Sequence, residues 1–452
     1  MSGEATCFRG VGIQFKNKNQ ERLYDMIKKL MAAVLALVSI SALADAGYVT
    51  NVLVRQRWPW SHKVDIDFTV GGTEKVDVEC SAVWDGHPDP LLLSPANGLS
   101  GSAYGLANTQ GHLVWNPHAA GLTNTLTGFR VAISASAVSE RKYLVFDLTN
   151  GSYEYMADEP QGGFNADDTY KTTKIAFRRI PAGTFTMGVT SAQKSAVNRV
   201  GGASTFYQNK WFSKKAVTLS DDYYLAVYRM TKAQYSYVSS GTASSDKEIC
   251  TYPTERSATR YNTNRGLTNT VGEAINWPVT GYDVATNSFY GKFRKLTGGR
   301  FVIDYPTEAQ WERAARADSE KLWWDYGDDD ITAPAFTNYL AGICAKKASG
   351  TYEPGGYAAN AYGLYDMVGN MFEPCLDSFT TNSPAAVDPV GPTGTVTQKR
   401  VAKGGGFASW AENPGRCIPA FRIGISPNEG RDSSYGQITL RPAIHLNSVF
   451  DR

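Results

Sequence analysis

Histidine is scarce in this sequence: the 452 residues include five, and His62, His87, His112 and His118 all precede residue 120, leaving His445 alone in the longer C-terminal part. That count excludes a multi-histidine metal centre built within the C-terminal part. Cysteine is also rare. The six residues Cys7, Cys80, Cys250, Cys344, Cys375 and Cys417 contain no CxxC or other zinc spacing. Charge is low, 19% of residues with a formal net of +2, so there is no basic stripe to carry nucleic acid. Outside one N-terminal segment, no apolar run approaches the roughly 18 residues of a membrane span. What is abundant is glycine (43 residues) and aromatic side chains (12%), which suits a β- and loop-rich extracytoplasmic protein long enough to bury two cores.

The apolar N-terminal segment, MIKKLMAAVLALVSISALADAG (26–47), reads as a bacterial secretory signal over 26–46. Lys28 and Lys29 form its basic start, residues 30–43 its apolar body, and Ala42 with Ala44, or Ala44 with Ala46, its small-residue cleavage site. No cysteine follows at once, which argues against a lipid anchor. The expectation is an exported protein, periplasmic, cell-surface or secreted, with no transmembrane anchor after signal cleavage. Residues 1–25 then read as an upstream extension, with Met26 as the true start. In an exported chain the five cysteines beyond Cys7 can form one or two disulfides and leave at least one thiol free. The sequence does not choose the pairing.

After the signal, VDIDFTV places Val64, Ile66, Phe68 and Val70 on one face and Asp65, Asp67 and Thr69 on the other. KVDVECSAV and FRVAISASA repeat this alternation, and YLVFDLTNGSYEYM sets Asn150-Gly151 between two strand-like runs, a hairpin signal. These strands predict a small all-β sandwich over 47–158, read as a structural or spacer module. EPQGGFNADDT opens a predicted linker over 159–174, and a second domain follows over 175–452. There Tyr282, Ala285, Phe289, Phe293 and Leu296 recur at helical spacing. In PTEAQWERAARAD, Thr307 and Gln310 form a capping box, Trp311, Ala314 and Ala315 a buried face, and Arg313 and Arg316 suit the negative end of the dipole.

Eight collinear segments carry a family resemblance: IPAGTFTMG (180–188), YYLAVYRMTKAQY (223–235), WPVTGYDVA (277–285), YPTEAQWERAARA (305–317), NAYGLYDMVGN (360–370), RVAKGGGF (400–407), RCIPAFR (416–422) and LRPAIH (440–445). Together they resemble the formylglycine-generating enzyme / sulfatase-modifying factor family. The resemblance covers about 175–447 and implies an α+β fold, a C-type-lectin-like domain with little regular secondary structure. In catalytic members two cysteines near the end of the domain hold copper, a task suited to soft thiolates. Through RCIPAFR those places fall on Pro414 and Pro419 here, with Cys417 between them. A lone thiol does not make that copper site. The resemblance therefore implies that Cys417 is a buried thiol or a disulfide partner, of Cys375 for example, and is catalytic only if the oxidase chemistry survives. The family's iron-dependent branch needs several histidines and is excluded by the count above.

The resemblance also implies structural calcium, held in the family by the GLYDMVGN turn. Carried over, the ligands are Asp366, the Gly369 and Met371 carbonyls and Glu373, a set of hard oxygens suited to Ca2+; the alternative is that Asp366 caps a turn and Glu373 pairs with an arginine. A second family site would begin at Asn338 and the Tyr339 carbonyl, without a clear downstream carboxylate. The family's WEW becomes Phe372-Glu373-Pro374 and its GGSW becomes Gly404-Gly405-Gly406-Phe407. The reading that follows is a non-catalytic binding or surface protein with structural calcium. Trp410, Asn413, Arg416, Phe421, Arg422, Asn428 and Tyr435 present its ligand surface, because aromatic and arginine side chains dominate recognition surfaces. A protein, peptide or glycan is the expected ligand. One alternative is an oxidase acting on a peptide cysteine with copper. Another is a diversity-generating-retroelement receptor, variable in the same segment.

Overall fold

The computed structural model describes residues 9–10, 46–57, 61–195, 211–242, 284–320, 353–381, 384–390, 398–406, 418–427, 431–432 and 436–447. The chain divides into two compact units, Met1–Glu140 and Arg141–Arg452. No helix among the described residues is long and apolar enough to cross a membrane.

The first unit is built from strands β1 (Arg9–Gly10), β2 (Tyr48–Gln56), β3 (Val64–Gly71), β4 (Val76–Trp84), β5 (His87–Leu92), β6 (Leu99–Gly101), β7 (Thr109–Trp115) and β8 (Arg130–Ala137). They form two antiparallel sheets, ordered β2-β3-β7-β6 and β1-β8-β4-β5. The period-2 pattern explains the packing. Ile66, Phe68 and Val70 of β3 share one core with Val76, Val78, Cys80 and Ala82 of β4 and with Trp115, which is fully buried. Opposite Phe68 stands Gly111, where a Cβ would run into the phenyl ring. The outward residues of β3 carry ions: Asp65 receives Arg57 in a bidentate pair, and Asp67 meets Arg55 and His112. Of the other histidines, His62 stacks on His118 and His87 on Trp84.

The second unit begins with β9 (Tyr143–Asp147) and β10 (Tyr153–Met156), followed by β11 (Lys174–Ile180), β12 (Gly183–Met187), β13 (Lys215–Leu219) and β14 (Tyr223–Ala226). Helices α1 (Lys232–Ser240) and α2 (Phe289–Leu296), strand β15 (Val302–Asp304) and helix α3 (Glu308–Arg316) come next. Strands β16 (Glu373–Ser378), β17 (Arg400–Lys403), β18 (Ile423–Ile425), β19 (Arg431–Asp432), β20 (Gly436–Gln437) and β21 (Ala443–His445) complete it. The main sheet has six strands in the order β10-β9-β11-β14-β21-β15, beside a β16-β17-β18 sheet and a β12-β13 pair. The result is a mixed α+β domain with open sheets and short helices.

The hairpin at Asn150-Gly151 forms, but it belongs to this second unit. β9 pairs with β11, Tyr143 opposite Arg178 and Asp147 opposite Lys174, so the division falls after Glu140 instead of near 158. The reason is burial on both faces. Tyr143, Leu144, Val145 and Phe146 are all buried, and Phe146 meets Phe177, Phe293 and Phe301 edge-on. The expected linker is likewise part of this unit. Phe164 is fully buried, Asn165 donates to the Gly355 carbonyl at 2.9 Å, and the Tyr228 hydroxyl donates to Asn165 at 2.6 Å. Helix α2 starts later than the apolar spacing implies, because Ser288 caps it by accepting from the Gly291 amide. Tyr282 lies outside the described residues, and Ala285 is exposed ahead of the helix.

Candidate functional site

The segment 360–373 is fixed first by its own side chains. Asn360 accepts from the amides of Tyr362 and Leu364 and donates to the Ala314 carbonyl at 2.8 Å, tying the turn to the end of α3. Asp366 and Asn370 both adopt left-handed backbone, at φ 55° and 61°, a conformation that Asp and Asn tolerate better than most residues. The Gly369 amide donates to the Gly404 carbonyl at 2.7 Å, and the Met371 amide to the Gly369 carbonyl at 2.8 Å. These bonds carry the chain into β16, where Glu373 pairs with Lys403 across the ladder.

Glu373 is wholly buried and fully engaged. Its Oε1 accepts from Arg229 Nε at 2.5 Å and Arg441 Nη2 at 3.0 Å; its Oε2 accepts from Trp311 Nε1 at 2.6 Å and Arg441 Nε at 2.9 Å. Arg441 continues outward, donating from Nη1 to the Ala226 and Val227 carbonyls and from Nη2 to the Tyr365 carbonyl. Burial pushes the Glu373 carboxyl up, but Arg441 and Arg229 outweigh it and the net direction is down. Asp366 accepts from the Gly355 amide at 2.6 Å. Burial raises its carboxyl, and Arg229 and Arg441 only partly offset that.

This arrangement does not fit the calcium ligand set Asp366, Gly369, Met371 and Glu373. A carboxylate offers about four acceptor positions, and all four of Glu373 face donors of its own chain. Two cationic guanidiniums stand where a divalent cation would need anionic or neutral oxygens. Asn338 and Tyr339 lie outside the described residues.

A second buried network runs along α3. The Thr307 capping box forms, with the Thr307 hydroxyl accepting from the Gln310 amide and the Gln310 side chain from the Thr307 amide. Trp311, Ala314 and Ala315 are buried, yet so are Glu308, Glu312, Arg313 and Arg316, so the helix is enclosed all round. Charges inside must be paired. Arg422 grips Glu308 with bonds of 2.7 and 2.8 Å, Lys403 lies 3.0 Å from Glu312 and 3.4 Å from Glu308, and Arg316 reaches Glu312 at 2.8 Å. Burial raises the Glu312 carboxyl, but Lys403 and Arg316 bring it below its ordinary value.

Two expected ligand-surface residues are therefore interior. Arg422 is sandwiched against Phe212 and Phe379 besides holding Glu308, and Phe421 is fully buried beside Phe372. Trp410, Asn413, Arg416, Asn428 and Tyr435 lie outside the described residues, as do Pro414 and Cys417. Cys375 is a free thiol, which removes the suggested Cys375–Cys417 bridge; it is fully buried, and burial next to Asp377 and Glu308 holds the thiol well above its ordinary value. Cys80 is free as well, pushed up to about 12 by burial. Neither is a reactive nucleophile. His445 accepts at Nδ1 from Gln310 and donates from Nε2 to the Tyr305 carbonyl, a structural role. Sequence reasoning missed Arg229, Lys403 and Arg441. The usable signal was charge inside apolar text, as in the AVYRM run around Arg229.

The family model for the sulfatase-modifying factor enzyme 1-like domain matches residues 165–436, more than half of the chain. The chain belongs to this family. A formylglycine-generating enzyme from Thermomonospora curvata is 36% identical over 118 residues, which is 23% of this chain and 37% of that relative, so the match spans well under half the relative's length. Among solved structures, PvdO from Pseudomonas aeruginosa is similar at 19% identity and TM-score 0.40, covering 60% of this chain and 94% of that one. Treponema denticola variable protein 1 gives 18% identity and TM-score 0.38, covering 60% and 95% respectively.

Proposed function

We propose that this chain is an exported binding protein in which the family domain is a scaffold without oxidase chemistry. The observation that carries this reading is the thiol inventory. By the family resemblance, Pro414 and Pro419 stand at the two copper-holding positions, and proline offers no side-chain atom to a metal. Cys375 is no substitute, being enclosed and held protonated by burial. Recognition is assigned to Trp410, Asn413, Arg416, Asn428 and Tyr435, with Phe421 and Arg422 withdrawn from the surface. The expected ligand remains a protein, peptide or glycan.

The test has two arms. Full-length protein incubated with copper, oxygen and a Cys-x-Pro-x-Arg peptide leaves the peptide mass unchanged on this reading. Conversion of the cysteine to formylglycine supports the second reading, an oxidase using Cys417, which draws on the 118-residue likeness to a formylglycine-generating enzyme. In the other arm, glycan and peptide arrays are probed with the wild type and with Trp410→Ala/Arg416→Ala. A signal lost in the variant supports the assigned surface; an equal signal from both rejects it. Export is tested by the N-terminus of the protein recovered outside the cytoplasm, expected near residues 45–47.

A further inference from the structure

The calcium turn of this chain carries its own cations. We infer that Arg229 and Arg441 take the place of a divalent ion in holding the 366–373 turn, so that the turn is metal-independent. Three observations converge on this.

The first is donor saturation: both Glu373 oxygens accept two hydrogen bonds each, from Arg229, Arg441 and Trp311. The second is charge. Arg229 and Arg441 contribute two positive charges, and Asp366 and Glu373 two negative ones, so the buried quartet is neutral when both carboxyls are ionised. With Asp366 protonated, the excess is positive. Adding a doubly charged cation to either state places uncompensated charge in a fully buried site, which is heavily disfavoured. The Nη1 and Nη2 atoms of Arg229 are buried and lack hydrogen-bond partners among the described residues, so further positive N–H groups lie beside the turn.

The third observation is mechanical. A bound ion in such a turn would hold the backbone of 366–373 in place. Arg441 does that work here, joining Ala226, Val227, Tyr365 and Glu373, and Arg229 adds the connection from the end of β14 to β16. The sequence of the turn thus follows the family, and this chain supplies a different counter-ion from within.

The decisive experiment measures calcium content of the full-length protein purified in calcium, together with melting temperatures in EGTA, Ca2+ and Mg2+. Expected are equal melting temperatures and no calcium that depends on Asp366. Calcium retained equally by the wild type and by Asp366→Ala belongs elsewhere and supports the inference, because alanine offers a cation no side-chain oxygen. About one calcium per chain, lost in Asp366→Ala and accompanied by a Ca2+-specific rise in wild-type melting temperature, overturns it. A second arm uses Arg229→Gln in EGTA. A melting temperature lowered by several degrees is expected; an unchanged one overturns the role of Arg229. These readouts do not depend on ligand binding or on oxidase activity.

Discussion

Replacing Glu373 with leucine removes the carboxylate that is hydrogen-bonded to both Arg229 and Arg441. Arg441 keeps its three carbonyl partners, whereas Arg229 retains no side-chain hydrogen bond among the described residues, and both guanidiniums stay buried. Breaking a buried ion pair from one side costs about 3–5 kcal/mol, because the remaining charge is left uncompensated. The lost Trp311 bond to a charged acceptor keeps the figure in the upper part of that range. Domains have only about 5–15 kcal/mol in total, so the variant remains folded but opens far more often. Hydrogen exchange of peptides from 364–378 and 436–445 reads this unit without interference from the sandwich. A loss of about 3–5 kcal/mol corresponds to exchange roughly two to three and a half orders of magnitude faster. Arg229→Met/Glu373→Leu should recover part of the loss, since one stranded charge is gone. Exchange accelerated by less than about fivefold, roughly 1 kcal/mol, would refute the claim that this carboxylate is the anionic centre of a closed network.

Acid should weaken this unit. The folded values of Glu373 and Glu312 lie below their unfolded ones, so their stabilisation is complete above the unfolded carboxylate range near about 4.3 and is lost as pH falls through the folded values. Asp366 works in the opposite sense: its raised value favours the fold at low pH and loses that contribution as pH rises through it, so Asp366→Asn should flatten the pH profile above about 4 in urea titrations. Iodoacetamide followed by peptide mass spectrometry should leave Cys80 and Cys375 unlabelled in the native protein and label both in denaturant; native labelling of either would contradict their burial. Gly151→Ala should cost about 1–3 kcal/mol by urea denaturation, because φ is 78° and a Cβ there meets the Leu296 carbonyl oxygen. A loss too small to measure would place the hairpin elsewhere.

How much of this was legible in the sequence depended on distance along the chain. The alternation through Ile66, Phe68 and Val70 and the Thr307 capping box were readable because they are local, and both appear as expected. The 143–156 hairpin was readable as a hairpin, but its partner strand β11 lies beyond a segment whose Pro and Gly residues looked like a linker. Glu373 stood out as a carboxylate, yet its guanidinium partners are 144 and 68 residues away, and no local pattern joins them. Arg422 and Phe421 have side chains typical of recognition surfaces. They are interior because Glu308, 114 residues before Arg422, requires a cation inside the core.

On the function proposed above, the family scaffold persists here without copper-thiol chemistry. Competition of the full-length protein against a Cu(I) chelator tests it most directly. Expected is no stoichiometric Cu(I) site, with the wild type and Cys417→Ser indistinguishable. One tightly held Cu(I) per chain that disappears in Cys417→Ser would contradict it.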